Sequence, residues 1–179
     1  MRKIFTKFID LYLGLHTLFW CFFHKTKFKK GFRVGYHVKK KWHVTLIVSK
    51  NVRIGSHTLL WGNGTITIGL NSSIGPHSNL YSCSSGGIVI GDYVNSASHL
   101  YMIDSDHGTS RDSLMMTQEM ISKPIFVGND VWFGYHVTVL KGVTIANGSV
   151  LGACSVVTKD TEEYFIYGGV PAVPIGERK

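Results

Sequence analysis

An aliphatic residue followed by a small one, repeated every six positions, constrains the fold of this chain more than any other feature. Val127, Phe133, Val139, Ile145, Leu151 and Val157 follow one another at six-residue steps. Earlier echoes are V-G-Y-H at Val34, I-G-S-H at Ile54, I-G-L-N at Ile68, I-G-P-H at Ile74 and I-G-D-Y at Ile90. An amphipathic helix needs apolar positions three and four apart, so this spacing excludes one. Short strands joined by tight corners satisfy it. Each coil stacks its aliphatic side chains on those of the next, while Gly, Asn and Asp accept the corner geometry. The pattern predicts an all-β solenoid, a parallel β-helix.

The 179 residues suffice for one domain and are too few for two ordinary ones. With 44% hydrophobic and 17% charged residues, the composition excludes a disordered, collagen-like or coiled-coil chain. Cys21, Cys83 and Cys154 are widely separated and form no C-x-x-C, which indicates neither a disulfide framework nor a zinc knuckle and fits a reducing compartment. Three regions follow: an N-terminal arm, 1–33; a repeat body, 34–175, interrupted by a loop at 103–124; and a tail, 176–179.

Charge divides the same way. Residues 1–50 hold twelve Lys or Arg and one acid, a net +11, whereas 51–179 hold seven and ten, a net −3. Nucleic-acid binders spread basic residues over the recognition surface, so the acidic body argues against that class and points the arm toward an anionic membrane surface. Within the arm, Leu11–Phe23 is nearly all apolar between basic flanks and reads as a short helix. Thirteen residues are too few to span hydrocarbon, for which about 20 are needed, and no cleavage site follows. Either the helix lies in a membrane interface, or it packs its aromatic face on the body or a neighbouring subunit.

From Tyr101 to Ala172 the residues resemble the hexapeptide-repeat acyltransferases. V-W-F-G-Y-H-V-T-V-L-K-G-V-T-I, G-A-C-S-V-V-T-K-D and G-V-P-A are similar to the C-terminal signature of the branch with maltose, galactoside and xenobiotic acetyltransferases and the O-antigen and capsule O-acetyltransferases. The resemblance implies a left-handed β-helix with three hexapeptides per coil. It also implies a homotrimer with active sites between subunits.

The repeat breaks between Met102 and Ile125, and an irregular loop projecting from a rigid scaffold is where function concentrates. There D-S-D-H-G resembles the family's D-H-x-H-G motif, whose second His is the catalytic base; His107 matches it, and Ser105 replaces the first His. An imidazole titrating near neutrality suits removal of a hydroxyl proton as the oxygen attacks a thioester. Asp104 is the candidate to fix the His107 tautomer, and Asp106 is a less favoured one that, with Asn79 and His77, is a candidate acceptor contact.

For acetyl-CoA, the resemblance implies a groove between C-terminal coils of adjacent subunits. It assigns Trp132 to the acyl end, Gly152 and Ala153 to backbone contact with pantetheine, and Thr158 and Lys159 to the nucleotide phosphates; Lys159 and Arg178 are the candidates for the positive charge that phosphates need. Cys154 departs from the family's glycine, and Thr161–Glu163 departs from its I-P-P-like segment. The fold also serves a zinc enzyme with an H-x-x-x-x-H pair, but no two histidines here lie five apart, and no metal is expected. His37, His57, His77, His99 and His136 sit four residues into their hexads, where side chains should face outward.

The expected activity is acetyl transfer from acetyl-CoA to a hydroxyl of a bacterial surface saccharide or its lipid-linked precursor, in the cytoplasm and at the inner face of the plasma membrane. N-acetylation of a nucleotide-linked amino sugar, O-acetylation of a free sugar or xenobiotic, and a non-catalytic β-helix scaffold are the alternatives.

Overall fold

The computed structural model describes residues 2–179, with side chains from residue 11 onward. Short strands wind into a parallel solenoid with three faces. The first ladder begins Arg33–Val34, Arg53–Ile54, Ser73–Ile74 and ends with Val150–Leu151 and Phe165–Gly168. The second runs from Lys39–Lys40 through Leu59–Gly62, Asn79–Ser82 and Tyr101–Ile103 to Val156–Val157, and the third from Thr45–Val48 to Thr144–Ile145. Inside, the six side chains that announced the repeat, from Val127 to Val157, are all buried together with Ile54, Ile66, Leu80 and Met102. Each stacks on its equivalents one coil above and below, as the six-residue spacing predicts.

Coil length departs from three plain hexads almost everywhere. Register partners along the first ladder are Arg33, Arg53, Ser73, Asn95, Trp132, Val150 and Ile166, giving intervals of 20, 20, 22, 37, 18 and 16 residues. In the early coils the additional residues lengthen the strands of the second and third faces to four residues, as in Leu59–Gly62 and Thr65–Ile68. The 37-residue coil carries the projecting segment. Gly62 closes the lengthened strand at φ +112°, where a Cβ would stand 2.0 Å from the Ser82 carbonyl oxygen.

Between the first and second faces every coil turns through one residue in the left-handed region: His37, His57, His77, His99, His136 and Cys154, with φ between 55° and 63°. Histidine tolerates this conformation better than most residues. Because coils stack in register, successive imidazoles fall into a column, with centroids 4.9 Å apart for His37 and His57, 4.8 Å for His57 and His77, and 5.1 Å for His77 and His99. They face outward as expected; only His99 is half-buried.

Both ends are closed. Helix α1, Arg2–Phe23, is longer than the Leu11–Phe23 segment expected, because no Gly or Pro interrupts residues 2–13 and the basic residues there are good helix formers. It lies on the first coil: the Thr17 hydroxyl accepts from the Val34 amide (3.1 Å), and the Trp20 indole donates to the Val38 carbonyl (2.8 Å). Thr17, Trp20 and Cys21 are buried there, and burial pushes the Cys21 thiol up to about 11, making it an inert core group. Its opposite side exposes Leu11, Leu15, Leu18, Phe19 and Phe22. Among the described residues no helix is long and apolar enough to cross a membrane. At the other end Val173–Glu177 turns back antiparallel on Phe165–Gly168, so the last strand reaches two residues beyond the expected limit of the body at 175.

The imidazole column makes stability pH-dependent. The His57 pKa is lowered, first by desolvation and then by His77, His37 and Lys39. The folded state therefore binds fewer protons than the unfolded chain, so this contribution is complete above the ordinary histidine pKa and is lost as pH falls below it. The melting temperature should drop as pH falls through and below the ordinary histidine pKa. His57→Asn, which keeps the left-handed corner, should shrink that drop; an identical drop in both proteins would remove His57 from the effect.

Candidate active site

The segment expected to be an irregular loop is a two-stranded arm. Ser105–His107 pairs antiparallel with Met120–Ser122, placing His107 opposite Met120. A single 3₁₀ turn, Met115–Thr117, lies at its far end. Gln118 holds the intervening chain by donating to the carbonyls of Ser110 (2.7 Å) and Ser113 (2.9 Å). His107 is thus fixed by strand pairing at the base of the arm, where the arm leaves the second face, and its ring is exposed.

There it lines a cleft of about 590 Å³ whose walls come from four successive coils and the arm. Trp42, Trp61 and Tyr81 form an aromatic cluster on one side, with centroids 5.0 Å apart for Trp42 and Trp61 and 4.1 Å for Trp61 and Tyr81. Strand register explains the pairing, because Trp61, Tyr81 and Ile103 are outward neighbours on the second face. Burial, followed by Cys83 and Asp104, pushes the Tyr81 phenol up to about 12; burial and then Asp106 raise Tyr101. Both phenols therefore stay protonated donors at neutral pH. Ser105 lines the cleft as well, and its fully buried hydroxyl has no partner. A larger concavity of about 1110 Å³ runs along the first face beside Arg33 and Arg53, but no imidazole, thiol or carboxylate lines it.

Two acids expected near His107 are otherwise engaged. Asp104 is fully buried; its carboxylate accepts from the Ser82 hydroxyl (3.0 Å) and the amides of Cys83 (2.6 Å) and Ser84 (2.9 Å). It fastens the turn after Asn79–Ser82 and does not reach the His107 ring, correcting the tautomer role expected of it. Strand alternation is the reason: Asp104 points into the coil and His107 lies beyond the strand switch into the arm. Asp106 stays in the cleft beside His107 and pairs with Lys141. Asn79 accepts from the Trp61 indole at 2.5 Å, so it orients that ring and lies outside the cleft lining.

Of the residues expected to meet CoA, Trp132 is exposed on the first face, while Ala153, Thr158 and Lys159 are exposed at corners of the last coil. Gly152 cannot offer its backbone. Its N–H donates to the Tyr167 carbonyl (2.7 Å) and its own carbonyl accepts from the Ser155 hydroxyl (2.5 Å). Arg178 also departs from expectation, because its guanidinium pairs with Asp130 (2.9 Å) and donates to the Gly148 carbonyl (3.1 Å), pinning the last strand. Among the described residues no group of three His, Cys, Asp or Glu is arranged to hold a metal. The aromatic cluster escaped the sequence reading because a six-residue register does not align Trp61 with Tyr81; a 20-residue offset would have.

A family model described as bacterial transferase hexapeptide (six repeats) matches residues 124–159. The galactoside O-acetyltransferase of Escherichia coli K12 is 51% identical over 59 residues, 33% of this chain and 29% of that protein. A chloramphenicol acetyltransferase of Klebsiella aerogenes is 50% identical over 52 residues, 29% of this chain and 25% of that protein. The matched stretch therefore spans less than a third of these curated relatives. Among solved structures, the N-acyltransferase AntD from Bacillus cereus, in complex with dTDP and 3-hydroxybutyryl-CoA, is 25% identical with a TM-score of 0.62, covering 83% of this chain and 85% of that one. The polySia-specific acetyltransferase NeuO shares the fold, with a TM-score of 0.59 and 24% identity over 82% of this chain and 81% of that one. The solenoid is thus the left-handed β-helix of the hexapeptide proteins.

The separate duties of the two loop residues are measurable. Asp104→Ala leaves one hydroxyl and two amides buried without an acceptor and should cost about 3 kcal/mol in urea unfolding. His107→Ala, on an exposed ring, should stay within about 0.5 kcal/mol of the parent. Equal midpoints for the two variants would take Asp104 out of the framework.

Proposed function

We propose that this chain is a hexapeptide-repeat acyltransferase that transfers an acetyl group from acetyl-CoA to a hydroxyl of a bacterial surface saccharide or its precursor, with His107 as general base; the family match over residues 124–159 supports this. The observation that carries this reading is the exposed imidazole held by strand pairing at the rim of a cleft large enough for a sugar. The acceptor hydroxyl gives its proton to His107 as its oxygen attacks the thioester carbonyl. The tetrahedral intermediate then collapses, the carbon–sulfur bond breaks, and the proton passes from His107 to the departing sulfur, so no acyl-enzyme forms. Trp132 would lie against the acyl end, the Ala153 backbone would meet pantetheine, and the Lys159 ammonium with Thr158 would face the phosphates. The 3-hydroxybutyryl-CoA bound to AntD supports an acyl-CoA cosubstrate.

Two further parts of the reading concern assembly and place. The enzyme works as a homotrimer whose neighbouring subunits complete the CoA groove. It sits at the cytoplasmic face of the plasma membrane, where the outer side of α1 meets lipid. Between Leu11 and Phe22 the exposed residues of that side are apolar, and they are followed by Lys25, Lys27, Lys29 and Lys30, the pattern of an interfacial helix on an anionic surface. Phe19→Glu with Phe22→Glu should abolish co-sedimentation with phosphatidylglycerol vesicles and leave the melting temperature unchanged.

The likeness to AntD favours a second reading, N-acylation of a nucleotide-linked amino sugar. One assay separates the two. CoA release from acetyl-CoA is followed with polysaccharide fragments, lipid-linked saccharides and amino-sugar nucleotides, using wild type and His107→Ala. Release with saccharide hydroxyls that falls at least about 100-fold in the variant is the expected result. Release only with amino-sugar nucleotides selects the second reading, and release unaffected by His107→Ala removes the base. A protein that neither releases nor binds CoA is a scaffold.

A further inference from the structure

The geometry points to an acceptor subsite for a neutral oligosaccharide on the Trp42–Trp61–Tyr81 ledge, at least two sugar rings long, with Ser105 at its floor. The inference rests on the acyl-transfer reading and names its substrate class. Half of a pyranose surface is C–H bonds, which pack on aromatic faces, while its hydroxyls seek hydrogen-bond partners. The cleft supplies both. Trp42, an exposed indole, stands at 64° to Trp61, and Trp61 and Tyr81 are tilted together at 4.1 Å, so the ledge offers two inclined apolar faces and not one flat platform. An acceptor that covers both faces needs more than one ring. The Asn79 side-chain oxygen accepts from the Trp61 indole N–H and so holds that ring in place, which keeps the ledge pre-formed.

The polar complement is also present. The Ser105 hydroxyl is fully buried, lines the cleft and has no partner, a defect that costs stability unless a ligand satisfies it. It stands two residues from His107, so a sugar hydroxyl bonded to it is beside the base. The Tyr101 phenol, kept protonated, offers a donor on the next rung.

The lining offers no charged anchor for the other obvious occupant of an aromatic ledge, a nucleotide base with its diphosphate. No Lys or Arg lines the cleft, its single charged group is the Asp106 carboxylate, and the nearby Lys141 is paired with that carboxylate. A diphosphate would find no unpaired cation among the lining residues. A neutral saccharide needs none.

The test measures binding apart from chemistry. Tryptophan fluorescence of full-length His107→Ala, without CoA, is titrated with neutral bacterial polysaccharide fragments of one to six sugars, and separately with dTDP and UDP. Binding should tighten from the monosaccharide to the disaccharide and then level off. Trp42→Ala, on an exposed ring, should weaken fragment binding at least about tenfold, and Ser105→Ala by about fivefold. Circular dichroism confirms that both variants are folded.

In wild-type turnover the same two variants should raise KM for fragments and leave KM for acetyl-CoA unchanged. Fragment binding that depends on Trp42 without turnover would sink the acyl-transfer reading and keep the ledge. Turnover that is indifferent to both substitutions and to fragment length would sink the ledge and keep the reading. Trp42-dependent binding of dTDP or UDP, no binding of any fragment, or loss of self-association in Trp42→Ala would overturn the saccharide assignment.

Discussion

The left-handed corner between the first and second faces is the constraint on which the rest of this molecule depends. One residue per coil must take a positive φ there, and once it does the following strand lies directly over its predecessor. Equivalent positions then superpose at the strand spacing, about 4.8 Å. Inward positions become the aliphatic stacks of the core. Outward positions become columns, and a column amplifies whatever residue type it holds. Imidazoles at one corner, amides and carboxylates at another, as where Asn51 donates to Asn71 (2.9 Å), and aromatic rings on the second face all arise from the same register.

How much of this was visible in the sequence depends on whether a feature obeys the six-residue period. The core from Val127 to Val157 does, and it was read correctly residue by residue. The corner histidines keep a fixed offset of three from a hexad's first residue, as His57 from Ile54 and His77 from Ile74, and their outward direction followed. Trp42, Trp61 and Tyr81 escaped because the early coils hold 20 residues, which puts rings that touch in space out of step with the hexads. Asp104 was misread for another reason. Its neighbour in sequence, the arm with His107, is not its neighbour in function; the carboxylate serves Ser82, Cys83 and Ser84 a full coil earlier. Gly152 shows the converse, since a small residue at a corner signals only that backbone comes close, and here the backbone that comes close is Tyr167 of the same chain.

The site is divided between a rigid part and a borrowed one. Strand pairing and the buried carboxylate hold the base and the aromatic ledge in fixed relation, as a reaction between two positioned groups demands. The groups assigned to the acyl donor lie elsewhere, on the first face and the corners of the last coil. The groups proposed for the acceptor and those proposed for the acyl donor thus lie on different coils.

The closed ends of the solenoid carry a consequence for how copies of the chain meet. A stack of strands exposes unpaired edges at its top and bottom, and such edges invite further strands to add without limit. Here α1 takes up the backbone of Val34 and the carbonyl of Val38 at one end, and Val173–Glu177 runs against the grain over the other. Growth along the axis is forbidden at both poles. Contact between copies is left to the flanks, where the stacked faces of the solenoid lie open.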